Sequence, residues 1–372
     1  MSVPAPDRGA ALVIGAGPAG LAAAIRLARD GHRVVLADAA PRARRRRPGE
    51  HLPPGGLQVV EGAGLGAALA DPRHGDSPGV RSAWGAAGAL DRDYVFGLPG
   101  KGLNLDRAAF DAALEDQARA AGVELRWGAR LCALVREGGA WRAELGGESL
   151  RAALVVDASG RRAAAARLLG ARVLRRDRLT GLVGRIAGAE GAGRSGRLRI
   201  EAAPDGWWYG VRLGCGDVLA AWMCDPAAIR AHPGGALGLW GARLAASPLL
   251  APMAAGGALP GRLEAFDASV QWTLAPGAPG FVAVGDAAAG YDPLSSWGMA
   301  KGIADGAAGA GALSRAAAGA PDALQAHHRA RATDFAQHVN TRGQVYAAER
   351  RWAGAPFWAA RAAAGMQTEG MG

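Results

Sequence analysis

The chain has 372 residues, half of them hydrophobic, which suits one elaborate domain or two interleaved domains with a substantial core. Its formal net charge of +10 favours anionic partners, but no basic stripe with interleaved aromatic residues predicts binding to nucleic acid. Three scattered cysteines predict neither a disulfide framework nor a metal site. The sequence has no apolar run of membrane-spanning length and no signal-peptide pattern, so we expect a cytoplasmic protein.

The chain opens with a strand–turn–helix–strand pattern. A short apolar run, Ala11–Ile14, predicts a buried parallel strand, and a glycine-rich turn then leads into an Ala/Leu-rich helix closed by Gly31. A second apolar strand ends at Asp38, 18 residues beyond the last glycine of the turn. A carboxylate at that position can accept hydrogen bonds from the ribose of an adenosine.

The glycine-rich turn has the spacing of a dinucleotide-binding motif. Gly15 permits a tight turn, Gly17 lets a pyrophosphate approach the backbone, and Gly20 lets the helix pack closely on the strand. Pro18 and Ala19 complete the turn and open the helix, whose first N–H groups and partial positive charge favour phosphate. We therefore predict that a dinucleotide binds here.

A Pro/Gly-rich segment with five arginines follows at residues 41–56. We interpret it as a solvated loop, whose arginines at 42–47 could steer an acidic partner protein. Residues 80–105 alternate enough to predict two short strands around glycine-rich turns. Asp106 is the predicted N-cap of an amphipathic helix that ends at Ala121.

The middle of the chain is predicted to be mainly β structure and its end helical. The predicted strands are 123–127, 130–136 and 141–145 as a small meander, 154–157 as a return to the main sheet, a hairpin of 205–213 and 217–224 within the β-rich stretch 172–225, and 270–276. Helices are predicted over 227–250 and 316–372. The aromatic residues Trp352, Phe357 and Trp358 near the end are expected to pack in a core.

A second pattern begins at Phe281, where a buried strand ends in Gly285-Asp286. The turn from Pro293 to Gly298 then opens a long Ala/Gly-rich helix. The N-terminus of that helix offers preorganised N–H donors, which stabilise negative charge strongly where water is excluded.

Together these motifs resemble the flavoprotein hydroxylase/halogenase superfamily. The resemblance rests on GAGPAG, GEHLPP, SAWG, LDRAAFD, DASGR, DGWWY and GDAAAGYDPLSSWG, which cover most of residues 11–310. It is closest to the compact branch that matures cysteine tryptophylquinone enzymes. It implies an α/β fold, with a Rossmann-like FAD-binding domain of the glutathione-reductase type, a β-sheet substrate domain and a helical C-terminus. The expected boundaries are 1–75, 100–170 and 272–315 for FAD binding, 76–99 and 171–271 for substrate, and 316–372 for the helical segment.

The resemblance also assigns site residues. Glu50, His51, Trp297 and Gly298 are expected beside the flavin ring as catalytic residues, with Asp292 nearby. His51 is either a proton donor or simply a loop histidine, and Arg107 either reaches the flavin or forms a helix-capping ion pair. Asp286 is expected to bond the ribityl chain, and the Ser-Ser-x-Gly turn to aim a helix at the pyrimidine edge. The expected cofactor-binding residues are Gly15, Gly17, Pro18, Ala19, Gly20, Asp38, Arg107, Asp157, Gly285, Asp286, Pro293, Ser295, Ser296, Gly298 and Met299; no metal ligand is expected.

The implied activity is that of an FAD-dependent monooxygenase. In that mechanism a flavin C4a-hydroperoxide attacks an electron-rich aromatic ring, here the tryptophan side chain of a partner protein or peptide. The sequence has no second dinucleotide fingerprint, so either NAD(P)H binds transiently or a separate reductase supplies electrons. Five tryptophans are expected to border the flavin cleft: Trp84, Trp207, Trp208, Trp272 and Trp297.

Three alternatives stay open. A flavin-dependent halogenase has a Trp-x-Trp-x-Ile-Pro element and a relay lysine, whereas residues 207–212 lack that pattern and 77–87 contain no lysine. Lys101 and Lys301, the only lysines of the chain, lie elsewhere in glycine-rich contexts. The second alternative is a geranylgeranyl-reductase-type FAD reductase acting on a lipid, and the third is a non-catalytic FAD-bound assembly factor.

Overall fold

The structure is a computed structural model that describes residues 10–42, 51–86, 88–96, 100–191, 195–275 and 277–364. Its strands are β1 (Ala10–Ile14), β2 (Arg33–Asp38), β3 (His51–Leu52), β4 (Gly75–Ser77), β5 (Gly79–Ala83), β6 (Leu90–Asp93), β7 (Gly102–Asn104), β8 (Glu124–Trp127), β9 (Leu131–Glu137), β10 (Ala140–Leu145), β11 (Glu148–Ala152), β12 (Leu154–Asp157), β13 (Arg172–Arg175), β14 (Thr180–Ile186), β15 (Leu198–Ala203), β16 (Gly206–Arg212), β17 (Val218–Cys224), β18 (Glu264–Asp267), β19 (Gln271–Leu274), β20 (Phe281–Ala283) and β21 (Ala289–Gly290). Its α-helices are α1 (Pro18–Arg29), α2 (Pro54–Gly62), α3 (Arg107–Ala120), α4 (Ala164–Leu168), α5 (Pro226–Ala231), α6 (Gly235–Ala245), α7 (Ala251–Ala254), α8 (Gly298–Ala317), α9 (Asp322–Ala348) and α10 (Pro356–Ala364).

A five-stranded parallel sheet in the order β20-β12-β1-β2-β8 carries the dinucleotide motif. Strand β1 is buried on both faces, as its unbroken apolar run predicts, and Val13 pairs with Val156 of β12. One face packs on α1, α3 and α8, and the other on the meander β9–β11. The α/β class predicted from the sequence is confirmed.

The predicted meander was wrong by one strand. Glu124–Trp127 is not part of it but pairs in parallel with β2 at the edge of the main sheet, because α3 forms the crossover of a βαβ unit. The third strand of the meander is Glu148–Ala152, which the sequence analysis missed. Gly146 and Gly147 between β10 and β11 both have positive φ, and this is the geometry of a two-residue hairpin turn.

A second, larger sheet has seven strands in the order β18-β14-β17-β16-β15-β5-β6. The predicted hairpin is confirmed as β16 and β17. The predicted helix over 227–250 is wrong, since the structure has α5 and α6 separated at Pro233, a residue that cannot continue a helix. The prediction of a loop over 41–56 is wrong at its end, because His51–Leu52 forms β3 and α2 begins at Pro54 with proline in the first helical turn; residues 43–50 lie outside the described ones.

The C-terminal helices α9 and α10 pack against the seven-stranded sheet. Tyr346, Phe357 and Trp358 are buried there against Trp207 and Tyr209 of β16, which confirms the expected core role of the terminal aromatic residues. The strands β5 and β6 join this sheet from a distant part of the sequence, and the domain boundaries given above stay a prediction. Among the described residues, no helix has both the length and the apolar character to cross a membrane.

Candidate active site

The glycine-rich turn leaves the N-terminus of α1 open to a ligand. Gly15 has a φ of +101°, and a Cβ on it would lie 2.3 Å from the carbonyl oxygen of Ala158. Gly20 is packed as closely, since its Cβ would lie 1.8 Å from the carbonyl oxygen of Gly15. Gly17 is the N-cap, and no side chain of the described residues caps the helix. The first N–H groups of α1 are therefore available to an anion.

Two buried carboxylates fix the backbone at the carboxyl ends of β2 and β12. Asp38 accepts hydrogen bonds from the backbone N–H groups of Ala16 (2.8 Å) and Ala40 (2.9 Å). Asp157 accepts them from Ser159 (3.0 Å) and Ala166 (2.7 Å), and its burial raises its pKa. Each thus fixes a loop at the carboxyl end of its strand; direct contacts of Asp38 and Asp157 with a cofactor stay predictions.

The second pattern of the sequence lies directly beside the first. Gly285 follows β20 and is so close to α1 that a Cβ on it would lie 2.7 Å from the Cβ of Ala19. The carboxylate of Asp286 is partly exposed and lies 3.3 Å from Nε of Arg161. Since β1, β12 and β20 are parallel, their carboxyl ends share one edge of the sheet, which is where ligands bind in such folds.

The turn before α8 forms a second open helix N-terminus. Ser296 has a φ of +54°, and its hydroxyl group is buried with no hydrogen-bond partner within the described ranges. Gly298 is exposed, and no described atom lies within 4 Å of a Cβ placed on it. The ring of Trp297 lies over Gly55 of α2, whose added Cβ would be 2.9 Å from it. The turn starts at Pro293. Ser295 Oγ accepts a 3.4 Å hydrogen bond from the N–H of Trp297. Met299, in the first turn of α8, packs against the core below.

Arg107 forms the local ion pair that was the alternative interpretation. Its Nη2 lies 3.1 Å from Oδ1 of Asp111, one helical turn later, and both side chains are largely buried. Asp106 accepts a 2.9 Å hydrogen bond from the N–H of Ala109, which confirms it as the N-cap. Contact between Arg107 and the cofactor stays a prediction.

His51 is held between two neighbours in the small sheet β3-β7-β4. Its Nδ1 lies 2.9 Å from Oδ1 of Asn104, and its Nε2 lies 2.9 Å from the hydroxyl of Tyr94. Burial lowers the pKa of His51 to about 4, although the hydrogen bond to Asn104 opposes this. The imidazole is therefore neutral near pH 7, which favours a structural role over that of a proton donor. Glu50, the other predicted catalytic residue of this segment, lies outside the described residues.

His51 should make the folding stability depend on pH. Its pKa of about 4 in the folded protein is below the ordinary value of 6.5, so the unfolded chain binds a proton first. The stability present above pH 6.5 is then lost as the pH falls towards 4. We expect the free energy of unfolding, measured by denaturant titration, to fall less steeply over this range in His51→Gln. His328 and His338 also have pKa values of about 4 and keep their own contribution in the variant; equal slopes would contradict the assignment to His51.

Helix α9 supplies a polar stripe that the sequence analysis missed. At one end of it, Asp305 of α8 accepts a 2.7 Å hydrogen bond from the N–H of Gly285. The same carboxylate lies 3.2 Å from His327 and 3.5 Å from Arg331, both on α9. Further along, Asp334 binds Nζ of Lys301 (2.7 Å) and the hydroxyl of Tyr291 (2.9 Å).

At the other end of the stripe, Asp292 is fully engaged with α9. Its Oδ2 accepts hydrogen bonds from Nε of Arg342 (2.7 Å) and from the hydroxyl of Tyr346 (3.0 Å), and its N–H donates to His338. The second carboxylate bound by Arg342 is that of Asp177, which lies in the segment between β13 and β14. Asp292 therefore anchors the turn to α9, and its place near the flavin ring stays a prediction. The residues of the stripe recur at helical spacing, which places them on one face of α9 but does not show what that face contacts; they are His327, Arg331, Asp334, His338, Arg342 and Tyr346.

The five tryptophans expected at the cleft do not all lie together. Trp208 is on the opposite face of β16 from Trp207 because neighbouring strand residues alternate, and it is buried against Trp222 and Trp240. Its expected place at the cleft was wrong. Trp207 and Trp84 belong to the buried aromatic cluster under α10. The other two are separate, with Trp272 packed on Phe335 of α9 and Trp297 at the turn before α8.

The residues present fit a bound FAD. Two uncapped helix N-termini, of α1 and α8, lie in segments that meet at one sheet edge, and the hydroxyl of Ser296 is buried and lacks a partner within the described ranges. This combination defines a dinucleotide-binding flavoprotein. Residues 8–189 match the family described as FAD binding domain, and the chain as a whole is similar to an FAD-dependent oxidoreductase.

Known proteins with similar sequences or structures agree with this family. LodB of Marinomonas mediterranea, named as an FAD-dependent oxidoreductase, is 26% identical over 362 residues, which is 94% of this chain and 96% of LodB. The peptidyl tryptophan dihydroxylase QhpG is 27% identical with a TM-score of 0.74, covering 95% of this chain and 78% of QhpG. The flavin-dependent halogenase CmlS is 21% identical with a TM-score of 0.83, covering 96% of this chain and 68% of CmlS. At that identity CmlS shows the shared fold alone.

Replacing Gly17 by valine should remove FAD from the purified protein. The side chain would stand where the pyrophosphate approaches the N-terminus of α1. We expect flavin absorbance per protein to fall at least about tenfold, a loss comparable to that of one or two hydrogen bonds to a charged group. Gly62→Val on α2 is a matched control, because no described atom lies within 4 Å of a Cβ there. Full flavin absorbance in Gly17→Val would show that this turn does not hold the pyrophosphate.

Proposed function

We propose that the protein is an FAD-dependent monooxygenase that hydroxylates the tryptophan side chain of a partner protein or peptide. The observation that carries this proposal is the 27% identity with a peptidyl tryptophan dihydroxylase over almost the whole chain. The resemblance of the motifs DGWWY and DPLSSWG to the tryptophylquinone-maturing branch points the same way.

The aromatic cluster under α10 supports a macromolecular substrate. Tyr346, Phe357 and Trp358 cover the face of the seven-stranded sheet that also carries Trp207, and the hydroxyl of Tyr346 accepts a 2.9 Å hydrogen bond from Nε1 of Trp207. A small aromatic molecule cannot occupy that space without displacing these rings. The exposed surface at Gly298 is open instead, which suits a ring presented from outside by a peptide.

The reaction consumes O2 and two electrons for each hydroxyl group. One oxygen atom is inserted into a ring C–H bond to give the hydroxyl group, and the other takes up the two electrons and two protons and leaves as water. Reduced FAD, when bound, supplies the activation of O2, and NAD(P)H or a separate reductase supplies the electrons. The chain's own task is to hold the indole at the turn before α8, keep water away, and direct the N–H groups of that helix at the flavin edge. Trp297 offers the face of its ring to the substrate indole.

Both lysines of the chain are held by carboxylates in the structure, which disfavours a halogenase. Nζ of Lys101 lies 2.5 Å from Asp76 on an exposed surface, and Nζ of Lys301 lies 2.7 Å from Asp334 and over the ring of Tyr291. We expect no brominated product from the holoprotein with bromide, a flavin reductase and a tryptophan-containing peptide, measured by mass spectrometry. A bromide-dependent product would favour the halogenase.

The proposal is tested by mass spectrometry of candidate substrates. The holoprotein, NAD(P)H with or without a flavin reductase, and air are supplied with tryptophan-bearing peptides or with co-expressed oxidase candidates from neighbouring genes. We expect one or two added oxygen atoms on a single tryptophan. Hydroxylation of free indole or phenol without any reaction on peptides would overturn the proposal, and so would reduction of a prenyl lipid. If a partner protein binds equally well whether or not the flavin can be reduced, and no oxygen is added to it, the non-catalytic assembly factor would be favoured.

A further inference from the structure

An open groove of about 750 Å³ lies outside the candidate active site, at the edge of the seven-stranded sheet. It forms where the segment between β13 and β14 passes β18. We call it the arginine groove, and its main lining residues are Arg175, Arg176, Asp177, Arg178, Phe266 and Asp267. Nothing in the proposed reaction uses it.

The two carboxylates of the arginine groove are compensated by groups around them. Asp177 binds Arg342 from the inner side and accepts a 3.1 Å hydrogen bond from the N–H of Val270. Asp267 lies 2.9 Å from Nη2 of Arg175 and accepts two hydrogen bonds from Ser269. Although burial raises the pKa of Asp267, these hydrogen bonds and nearby arginines hold it below the ordinary value.

The positive charge of the arginine groove therefore has no equal negative charge to offset it. No side chain of the described residues forms a hydrogen bond or ion pair with the guanidinium of Arg178. Guanidinium groups bind carboxylates through paired N–H donors, so this wall suits acidic side chains.

The arginine groove is also joined to the turn before α8. Its Asp177 and the turn's Asp292 are bound by the same guanidinium, that of Arg342. The arginine groove and the turn before α8 are thus connected through one buried ion-pair network. The groove has only one aromatic ring, that of Phe266, and so lacks the stacking series that single-stranded nucleic acids need.

We propose that the arginine groove binds an acidic segment of the polypeptide whose tryptophan is hydroxylated. This rests on the proposed function, and it adds a docking site remote from the reacting ring. Charge pairing at such a site raises the rate of encounter and selects the partner, and it weakens with salt.

The probe is a fluorescein-labelled dodecapeptide of glutamates with one central tryptophan, titrated with the FAD-bound protein and followed by fluorescence anisotropy. Arg178→Glu should weaken its binding at least tenfold. Arg151→Glu, on the exposed face of β11, is the matched control because it changes the net charge by the same amount; it should change binding less than twofold.

Three results would overturn the proposal. They are equal losses in both variants, which would indicate attraction by net charge alone; no binding of the probe by the wild type; and competition by an oligothymidylate that is equally sensitive to Arg178→Glu. The hydroxylation assay separates the two hypotheses. If the probe binds in a way that depends on Arg178 but no peptide is hydroxylated, the docking site is supported and the proposed reaction is contradicted. If an acidic partner is hydroxylated and its KM is unchanged in Arg178→Glu, the proposed reaction is supported and the docking site is contradicted.

Discussion

Replacing Arg342 by glutamine is expected to destabilise the protein by about 3–5 kcal/mol, the usual cost of removing one partner from a buried ion pair. The guanidinium is 4% exposed and binds Asp292, which is 1% exposed, and Asp177, which is 11% exposed. Glutamine leaves both carboxylates buried without a compensating charge. The measurement is the free energy of unfolding from urea titration of the FAD-bound protein.

The matched control is Arg142→Gln on the meander, where the arginine also binds two carboxylates, those of Glu137 and Glu144, but its side chain is 37% exposed. Exposed pairs contribute about 0–1 kcal/mol, so this variant should be nearly as stable as the wild type. Asp177→Asn and Tyr346→Phe each remove one contact and should have intermediate effects. If Arg342→Gln costs no more than Arg142→Gln, the buried network does not hold the turn before α8.

Replacing Gly298 by tryptophan should abolish hydroxylation while leaving FAD bound. Gly298 is exposed, with open space around a Cβ, so the fold tolerates the new side chain, which then fills the place of the substrate indole. We expect the rate of oxygen addition to a tryptophan peptide to fall roughly 100-fold or more, as a displaced reactant would cause. Flavin absorbance reports retention of the cofactor.

Two controls distinguish obstruction from a general effect of the substitution. Gly298→Ala adds only a methyl group and should keep most of the activity. Gly241→Trp adds the same indole to α6, where no described atom lies within 4 Å of a Cβ, and should leave the rate unchanged. Normal turnover in Gly298→Trp would place the substrate elsewhere.

The parts of the site that are local in sequence could be predicted. The turn at Gly15–Gly20 and the segment 285–298 each combine a strand, a turn and a helix start, and each of those signals lies within a few residues. Their meeting at one sheet edge follows from the parallel arrangement of β1, β12 and β20. The structure agrees with both expectations.

The parts that depend on distant packing were not predicted. The stripe on α9 consists of charged and polar residues, which in a helix usually indicate a solvated face. It is partly buried and faces Asp305, Asp292 and Asp177, and no local pattern links those carboxylates to residues 327–346. The position of β8 was not predicted for the same reason, because no local pattern shows that it pairs with β2 after the crossover.

The chain order of the central sheet affects how the protein reaches its native state. Strand β1 is made first, yet its neighbour β12 and the next strand β20 are about 140 and 270 residues away in the chain, and the clamp on the turn before α8 is completed only by Arg342. Such high contact order slows folding, because long loops must close before non-local pairs form. During synthesis, the apolar strands β1 and β2 therefore leave the ribosome long before β12 and β20, and the nascent chain is exposed to aggregation until those strands have been made.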